Sequence, residues 1–387
     1  MKALKQHKWN DGNLSDIANI TMGQSPPGSS YNDTKDGIGL INGPTEFTNK
    51  YPVVKQWTTK PTKLCKTGDI LLCVRGSSTG RMNIADGEYC IGRGVASVRA
   101  KKEKAETSFI YYTLNYKVNQ LLQKTAGSTF PNLSSNELKE MIVGIPPFIE
   151  QQKIASILST WDKAIELKEK LIEQKKEQKK GLMQKLLMGE VRLPGFSAKW
   201  EKKKIGELLE ESKVIAKNPQ LDKRITVRLN LKGVCKRETS TVEIEGATTQ
   251  YIRKEGQFIY GKQNLHKGAF GLIPKELNGF QSSSDIPCFD FKEGVDGLWF
   301  YYYFSRESFY TNLENISSGT GSKRIQPKEL YKLTIKLPSL EEQQKQSKIL
   351  ECSDKEIYLL EKELETYRKQ KQGLMQLLLT GKVRVKV

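Results

Sequence analysis

The chain has 387 residues, 63 Lys plus Arg against 44 Asp plus Glu, a net charge of +19 and 37% hydrophobic residues. That length allows two or three domains, each able to bury a core, and the charge calls for a polyanion: nucleic acid first, an anionic membrane surface second, with solvated helix lysines as the plain alternative. Two histidines and six cysteines without a Cys-x-x-Cys pair argue against zinc and for reduced thiols, and the absence of a signal peptide or of about 18 consecutive apolar residues excludes a membrane span, so a soluble intracellular chain is expected.

In chain order, Trp9 and Leu14-Ser-Asp-Ile17 open a first globule. Gly68-Asp-Ile-Leu-Leu72 reads as a turn into an apolar strand, followed by the polar loop Arg75-Gly-Ser-Ser-Thr-Gly-Arg81. Phe109-Ile-Tyr-Tyr112 begins an apolar helix through Leu114, Val118 and Leu121. A polar loop containing Gly127 leads to Ser134-x-x-Glu137, the capping box of a short helix. The strand Ile142-Val-Gly-Ile145 then ends at Pro146-Pro147, which blocks continuation into the helix beyond.

That helix is half of a repeat. The 43 residues Glu150 to Arg192 recur without a gap at Glu342 to Arg384, more than half of them identical. Ile154, Leu158, Trp161, Ile165, Ile172, Leu182 and Leu186 hold the two seam positions of a heptad, as do Leu350, Ile357, Leu360, Leu364, Tyr367, Leu374 and Leu378 in the second copy. Lys168, Lys175, Lys179 and Lys371 also fall on the seam, so a short, interrupted coiled coil is expected. Gly189 and Gly381 supply the stops. About 38 helical residues would make a rod of roughly 57 Å.

Between the helices the same grammar returns. Lys199-Trp200 with Ile205-Gly-Glu-Leu208 answers Lys8-Trp9 with Leu14 to Ile17, and Gly256-Gln-Phe-Ile-Tyr260 answers Gly68 to Leu72. Alternation in Thr226-Val-Arg-Leu-Asn-Leu231 predicts a half-buried strand. Trp299-Phe-Tyr-Tyr302 answers Phe109 to Tyr112, and its helical spacing favours core packing over base stacking. A loop at Gly319, Pro327-Lys-Glu-Leu330 as a short helix and the strand Leu333 to Leu337 close the copy before Pro338. Each globule therefore reads as α+β with a predominantly antiparallel sheet, and both share one fold.

Catalytic motifs fail on inspection. Ile145-Pro-Pro-Phe148 lacks the Asn or Asp that an amino-methyltransferase needs to hold its target amine, and Gly319-Thr-Gly-Ser-Lys323 misses the spacing of a phosphate-binding loop. Asp222, Glu243 and Glu245 form no acidic cluster with a partner lysine. No catalytic residue and no metal ligand is assigned.

Two variable globules alternating with two near-identical helices, each running from Glu-Gln-Gln-Lys to Gly-Leu-Met-Gln-x-Leu-Leu-x-Gly-x-Val-Arg, resemble the specificity subunit of Type I restriction-modification systems, the HsdS family. The resemblance covers essentially the whole chain. It implies target recognition domains at 1–145 and 193–337, and a central and a distal conserved helical region at 146–192 and 338–387. By it the helices form an antiparallel coiled coil with an internal pseudo-two-fold repeat. The function implied is non-catalytic reading of a bipartite, asymmetric site in double-stranded DNA inside a prokaryotic cytoplasm. Two adenine-N6 methyltransferase subunits would dock on the chain, and motor-nuclease restriction subunits would join through them. S-adenosylmethionine, ATP and Mg²⁺ would be needed only by those partners. A specificity chain for a fused methylase-nuclease is a second reading, and a coiled-coil scaffold a third.

The loops offer the candidate contacts. In the first globule these are Arg75, Ser77, Ser78 and Arg81, with Arg93 and Lys124; in the second they are Lys262, Asn264, Lys267, Lys323 and Arg324. Guanidinium and amide groups can pair bidentately with base edges, whereas hydroxyls and ammonium groups suit phosphates. Each loop reads equally as a solvated basic turn. A helix of fixed length would set the number of base pairs between half-sites.

Overall fold

The computed structural model describes residues 9–124, 132–238, 248–317 and 323–386. The chain divides into two compact units, Met1–Glu169 with Lys362–Val387, and Lys170–Glu361. Each unit takes part of both long helices, Phe148–Leu187 and Leu340–Leu378, of 40 and 39 residues.

In the first unit a four-stranded antiparallel sheet has the order Ala18–Met22, Val95–Ala100, Ile70–Cys73, Met82–Ile84. The helix Thr107–Lys124 covers it, burying Ile110, Leu114 and Val118 with Ile70, Leu72 and Val98. Strands Asn10–Asn13 and Ile142–Ile145 pair beside it. The Ser134 hydroxyl and Glu137 carboxylate cap each other's backbone N–H as the spacing predicts. A second sheet of five short strands runs Tyr31–Asn32, Gln56–Thr58, Ile38–Ile41, Tyr89–Ile91, Leu64–Cys65, with one parallel pair, Ile38–Ile41 beside Tyr89–Ile91. Its strands are two to four residues long, too short for alternation to reveal them.

The second unit repeats the first sheet strand for strand: Leu209–Glu211, Cys288–Phe291, Phe258–Tyr260, Phe270–Leu272. Strands Glu201–Lys204 and Thr334–Leu337 pair as their counterparts do. The aromatic run is core, with Trp299, Phe300 and Phe304 fully buried among Phe258, Phe270 and Phe289. The expectation of a strand over Thr226 to Leu231 is corrected: the strand stops at Val227, and Asn230 (φ 58°) and Leu231 (φ 56°) turn the chain left-handed towards a second strand, Val234–Lys236. Apolar alternation cannot register a turn built from two non-glycine residues at positive φ. The loops containing Gly127 and Gly319 lie outside the described residues.

The helices meet antiparallel inside each unit, and the seam lysines explain themselves. Within the first unit Lys371 pairs with Asp162, and Lys168 with Glu363 at 3.0 Å. In the second, Lys179 pairs with Asp354 at 2.5 Å and Lys175 with Glu356 at 2.6 Å. Each interruption of the heptad is thus an ion pair to the facing helix. The Tyr112 hydroxyl also donates to Asp162 at 2.6 Å, and Tyr302 to Asp354 at 2.7 Å. Burial and the neighbouring carboxylate push both phenols well above their ordinary range, so they remain donors.

The repeated Glu-Gln-Gln-Lys motif has a structural meaning. Glu150, 2% exposed, accepts two hydrogen bonds from the Arg384 guanidinium at 2.6 and 2.5 Å and one from the Trp9 indole at 3.3 Å. Glu342, 1% exposed, accepts two from Arg192 at 2.8 Å and one from Trp200 at 3.1 Å. The next residue, Gln151 or Gln343, is fully buried and binds the backbone before the helix at Pro146 or Pro338. The glycine stops follow suit: Gly189 (φ 72°) and Gly381 (φ 68°) are left-handed, and a Cβ on either would press on Trp200 at 3.4 Å or Trp9 at 3.2 Å.

Removing one arginine strands a buried carboxylate. Because Arg384 is itself 26% exposed, Arg384→Ala should cost about 3 kcal/mol, the low end of the range for a broken buried pair. Hydrogen exchange should accelerate throughout the first unit, and Arg192→Ala should do the same to the second. Equal acceleration of both units by either change would contradict this pairing.

Candidate nucleic-acid interface

In the first unit the strand Ile70–Cys73 leaves the sheet at Val74, whose N–H donates to Gly94 and whose carbonyl accepts from Leu133, both at 2.9 Å. Beyond it Gly76–Ser78 forms a 3₁₀ turn, closed by Gly80 N–H to the Cys73 carbonyl at 2.9 Å. Gly80 (φ 94°) must be glycine on two counts, since a Cβ there would also meet Val118 at 2.9 Å. The turn holds Arg75 and Ser77 exposed and Ser78 half-buried. Arg81 instead braces its own unit, its guanidinium reaching the carbonyls of Pro44 and Phe47 at 3.4 and 3.3 Å.

Arg93 stands beside this loop on the Gly92–Gly94 turn. Added Cβ atoms at those glycines would fall 2.0 Å from the Asn42 amide oxygen and 2.5 Å from its carbonyl, so Asn42 packs directly beneath Arg93. The Arg93 N–H donates to the Ser25 hydroxyl at 3.3 Å. Ser25 and Asn42 were not singled out from the sequence; glycines on both sides of one arginine were the available signal. Lys124 ends the Thr107–Lys124 helix, and its side chain lies outside the described residues.

The second unit uses the same exit. Lys262 replaces Val74: its N–H donates to the Asp285 carbonyl at 3.0 Å and its carbonyl accepts from Ile325 at 2.9 Å. A 3₁₀ turn, Leu265–Lys267, follows Asn264 and ends at left-handed Gly268. Lys262, Asn264, Asp285 and Arg324 line one concavity of about 180 Å³, walled by Thr226 and Val227. Lys267 is exposed on the same loop. Here the cations are partly answered: Arg324 pairs with Asp285 at 3.1 Å and Lys323 with Glu314 at 2.6 Å. The Lys323 ammonium holds the Glu314 carboxyl below its usual range, and burial lowers the His266 imidazole, leaving it neutral at pH 7.

Apart from Arg81, which is turned onto its own unit, and Lys124, whose side chain lies outside the described residues, the sequence-derived candidates gather at one end of the matching sheet in each unit, where Arg, Lys, Ser and Asn donors reach solvent. Such groups suit phosphates and base edges. Burial pushes the Cys65 and Cys73 thiols up to about 11 and Cys288 to about 12, which keeps these three protonated. Among the described residues no three His, Cys, Asp or Glu side chains group as metal ligands, and no helix is long and apolar enough to cross a membrane.

Two stretches, 6–176 and 197–366, match the Type I restriction modification DNA specificity domain. The MjaVIII type I restriction enzyme specificity subunit of Methanocaldococcus jannaschii is 26% identical over 373 residues, covering 90% of this chain and 84% of that one. The MjaX specificity subunit of the same organism is 39% identical over 174 residues, 45% of this chain but only 41% of the relative's length. The fold is also that of the Type I restriction-modification S subunit from M. genitalium, with a TM-score of 0.56, 15% identity and 98% coverage of both chains. A structure from a study of type I complex assembly and conformational transition gives a TM-score of 0.60 at 14% identity, covering 97% of this chain and 99% of that one.

Removing the Asp285 carboxylate takes this ion pair from Arg324 and raises the net charge of this face by one. Asp285→Ala should elute from a heparin column at higher salt than the parent chain; unchanged or earlier elution would show that this end of the unit does not meet the polyanion.

Proposed function

Because this chain belongs to the Type I restriction modification DNA specificity family, we propose that it is the sequence-reading subunit of a Type I restriction-modification complex, each recognition domain reading one half of a bipartite, asymmetric DNA site. The observation that carries this reading is the duplicated four-stranded sheet presenting a donor-bearing loop at the same strand end in both copies. In this reading the domains are residues 1–145 and 193–337, joined by the helical regions 146–192 and 338–387. Arg75, Ser77, Ser78, Arg81, Arg93 and Lys124 serve one half-site, with Arg81 acting largely through the turn it braces. Lys262, Asn264, Lys267, Lys323 and Arg324 serve the other. The paired side chains Lys323 and Arg324 exchange their carboxylate partners for DNA on binding. Methylation and cleavage belong to partner subunits, which supply S-adenosylmethionine, ATP and Mg²⁺ chemistry, and the helices set the spacing of the half-sites.

Binding should fall steeply with salt, log K against log salt having a slope near −9 for about ten neutralised phosphates. Arg75→Ala should weaken discrimination at one half-site by roughly 1–3 kcal/mol and Lys262→Ala at the other. Affinities for duplexes altered in one half at a time decide this. A uniform loss across all sequences would reassign these residues to the phosphate backbone.

The partner-docking part of this reading rests on a repeated exposure. Leu167 and Leu359 lie at equivalent positions of the two repeats, off the seam, and each is 55% exposed. An apolar side chain kept in water twice at one spacing suits two copies of one partner, here the adenine-N6 methyltransferase subunit. Leu167→Asp or Leu359→Asp should each reduce bound methyltransferase from two copies to one in native mass spectrometry, and the double change should remove both. Retention of two copies by the double variant would place docking elsewhere.

A further inference from the structure

In the second unit, strands Ile225–Val227 and Val234–Lys236 form an antiparallel hairpin between two strands of the shared sheet, where the first unit carries four strands of its five-stranded sheet. The hairpin is riveted to the candidate loop. N–H groups of Asn230 and Leu231 donate to the carbonyls of Lys267 and Gly268 at 2.9 and 3.0 Å, and Arg228 N–H closes the turn on Gly233 at 2.9 Å. Both Asn230 and Leu231 are left-handed, a conformation that asparagine tolerates but leucine keeps only when its surroundings enforce it. Along its flank Val234 packs so tightly on Gly271 that a Cβ there would sit 2.9 Å from the valine methyl.

That geometry sorts the tip residues. Leu231 turns inward onto the aromatic core. Leu229 turns outward and is 41% exposed. Arg228, Lys232 and Lys236 are exposed around it, and among the described residues none of the three pairs with a carboxylate; the Arg228 guanidinium has only the Cys235 sulfur, at 3.1 Å. At the base of the hairpin Thr226 and Val227 wall the concavity that holds Lys262, Asn264 and Arg324.

A rigid two-stranded ribbon is narrow enough to enter the major groove of B-DNA, about 12 Å wide, where an apolar side chain can read a thymine methyl. We propose that the hairpin Ile225–Lys236 is the groove-entering arm of the second recognition domain, with Leu229 on a base edge and Arg228 and Lys232 on the flanking phosphates. The arm rests on the DNA-reading function proposed above. Cations on both sides of one exposed leucine, without a carboxylate partner among the described residues, favour DNA over a protein partner, whose interface core is depleted of charge.

Selection from a randomised duplex library with the full-length chain tests it. Leu229→Ser and Leu229→Ala should lose about tenfold discrimination at one base pair of one half-site and leave the other half-site untouched. Arg228→Ala and Lys232→Gln should lower affinity for all duplexes alike, each reducing the salt slope by about one. All three side chains are exposed, so unfolding midpoints should stay at the parent value, and Leu229→Met should restore the parental motif if a Leu229→Ser loss is an apolar contact. A parental motif unmoved by every hairpin variant overturns the arm alone. A parent chain that selects no motif overturns the DNA-reading function and the arm with it.

Discussion

A buried carboxylate at the start of each long helix, answered by an arginine just past the end of the other, is the contact on which both units depend. Glu150 and Glu342 are almost without solvent, and an uncompensated charge there would cost several kcal/mol. Only the tail of the opposite helix supplies the guanidinium, Arg384 for Glu150 and Arg192 for Glu342. Each unit is therefore completed by chain from two distant places. The indole donors, the buried glutamines, the Tyr–Asp–Lys clusters and the left-handed glycines against tryptophan all repeat around that contact.

Much of this was legible because the repeat is strict where two helices must match. Apolar seam positions, capping box, proline starts and glycine stops all appear at the expected residues, and the shared order of the globules is visible from Trp9 and Trp200 onwards. In sequence the seam lysines mark only interruptions of the coiled coil, because a single helix carries no sign of its partner's acids. Asp162, Asp354, Glu356 and Glu363 became meaningful only in the antiparallel register. The Thr226 to Leu231 stretch misled for a different reason: its alternation is real, but its last residues take a conformation that sequence pattern assigns to glycine. The five-stranded sheet escaped notice because its strands are too short to show a period.

At the candidate surfaces, sequence found the loops but not their electrostatic character. Arg75 and Arg93 have solvent around them and no carboxylate partner among the described residues, whereas Lys323 and Arg324 are held by Glu314 and Asp285. The two units thus present one scaffold with two surfaces of different chemistry. On the function proposed, that difference suits an asymmetric target, with the same sheet end carrying different donor side chains in the two units.

The central claim is that one chain reads two separated half-sites for a methyltransferase. Mapping N6-methyladenine across the genome of the source cell, with and without this gene, tests it most directly. The account predicts that deletion removes methylation from a single bipartite, asymmetric motif whose halves are separated by a fixed number of unspecified base pairs. Loss of methylation at a continuous or palindromic motif, or no loss at all, would contradict it.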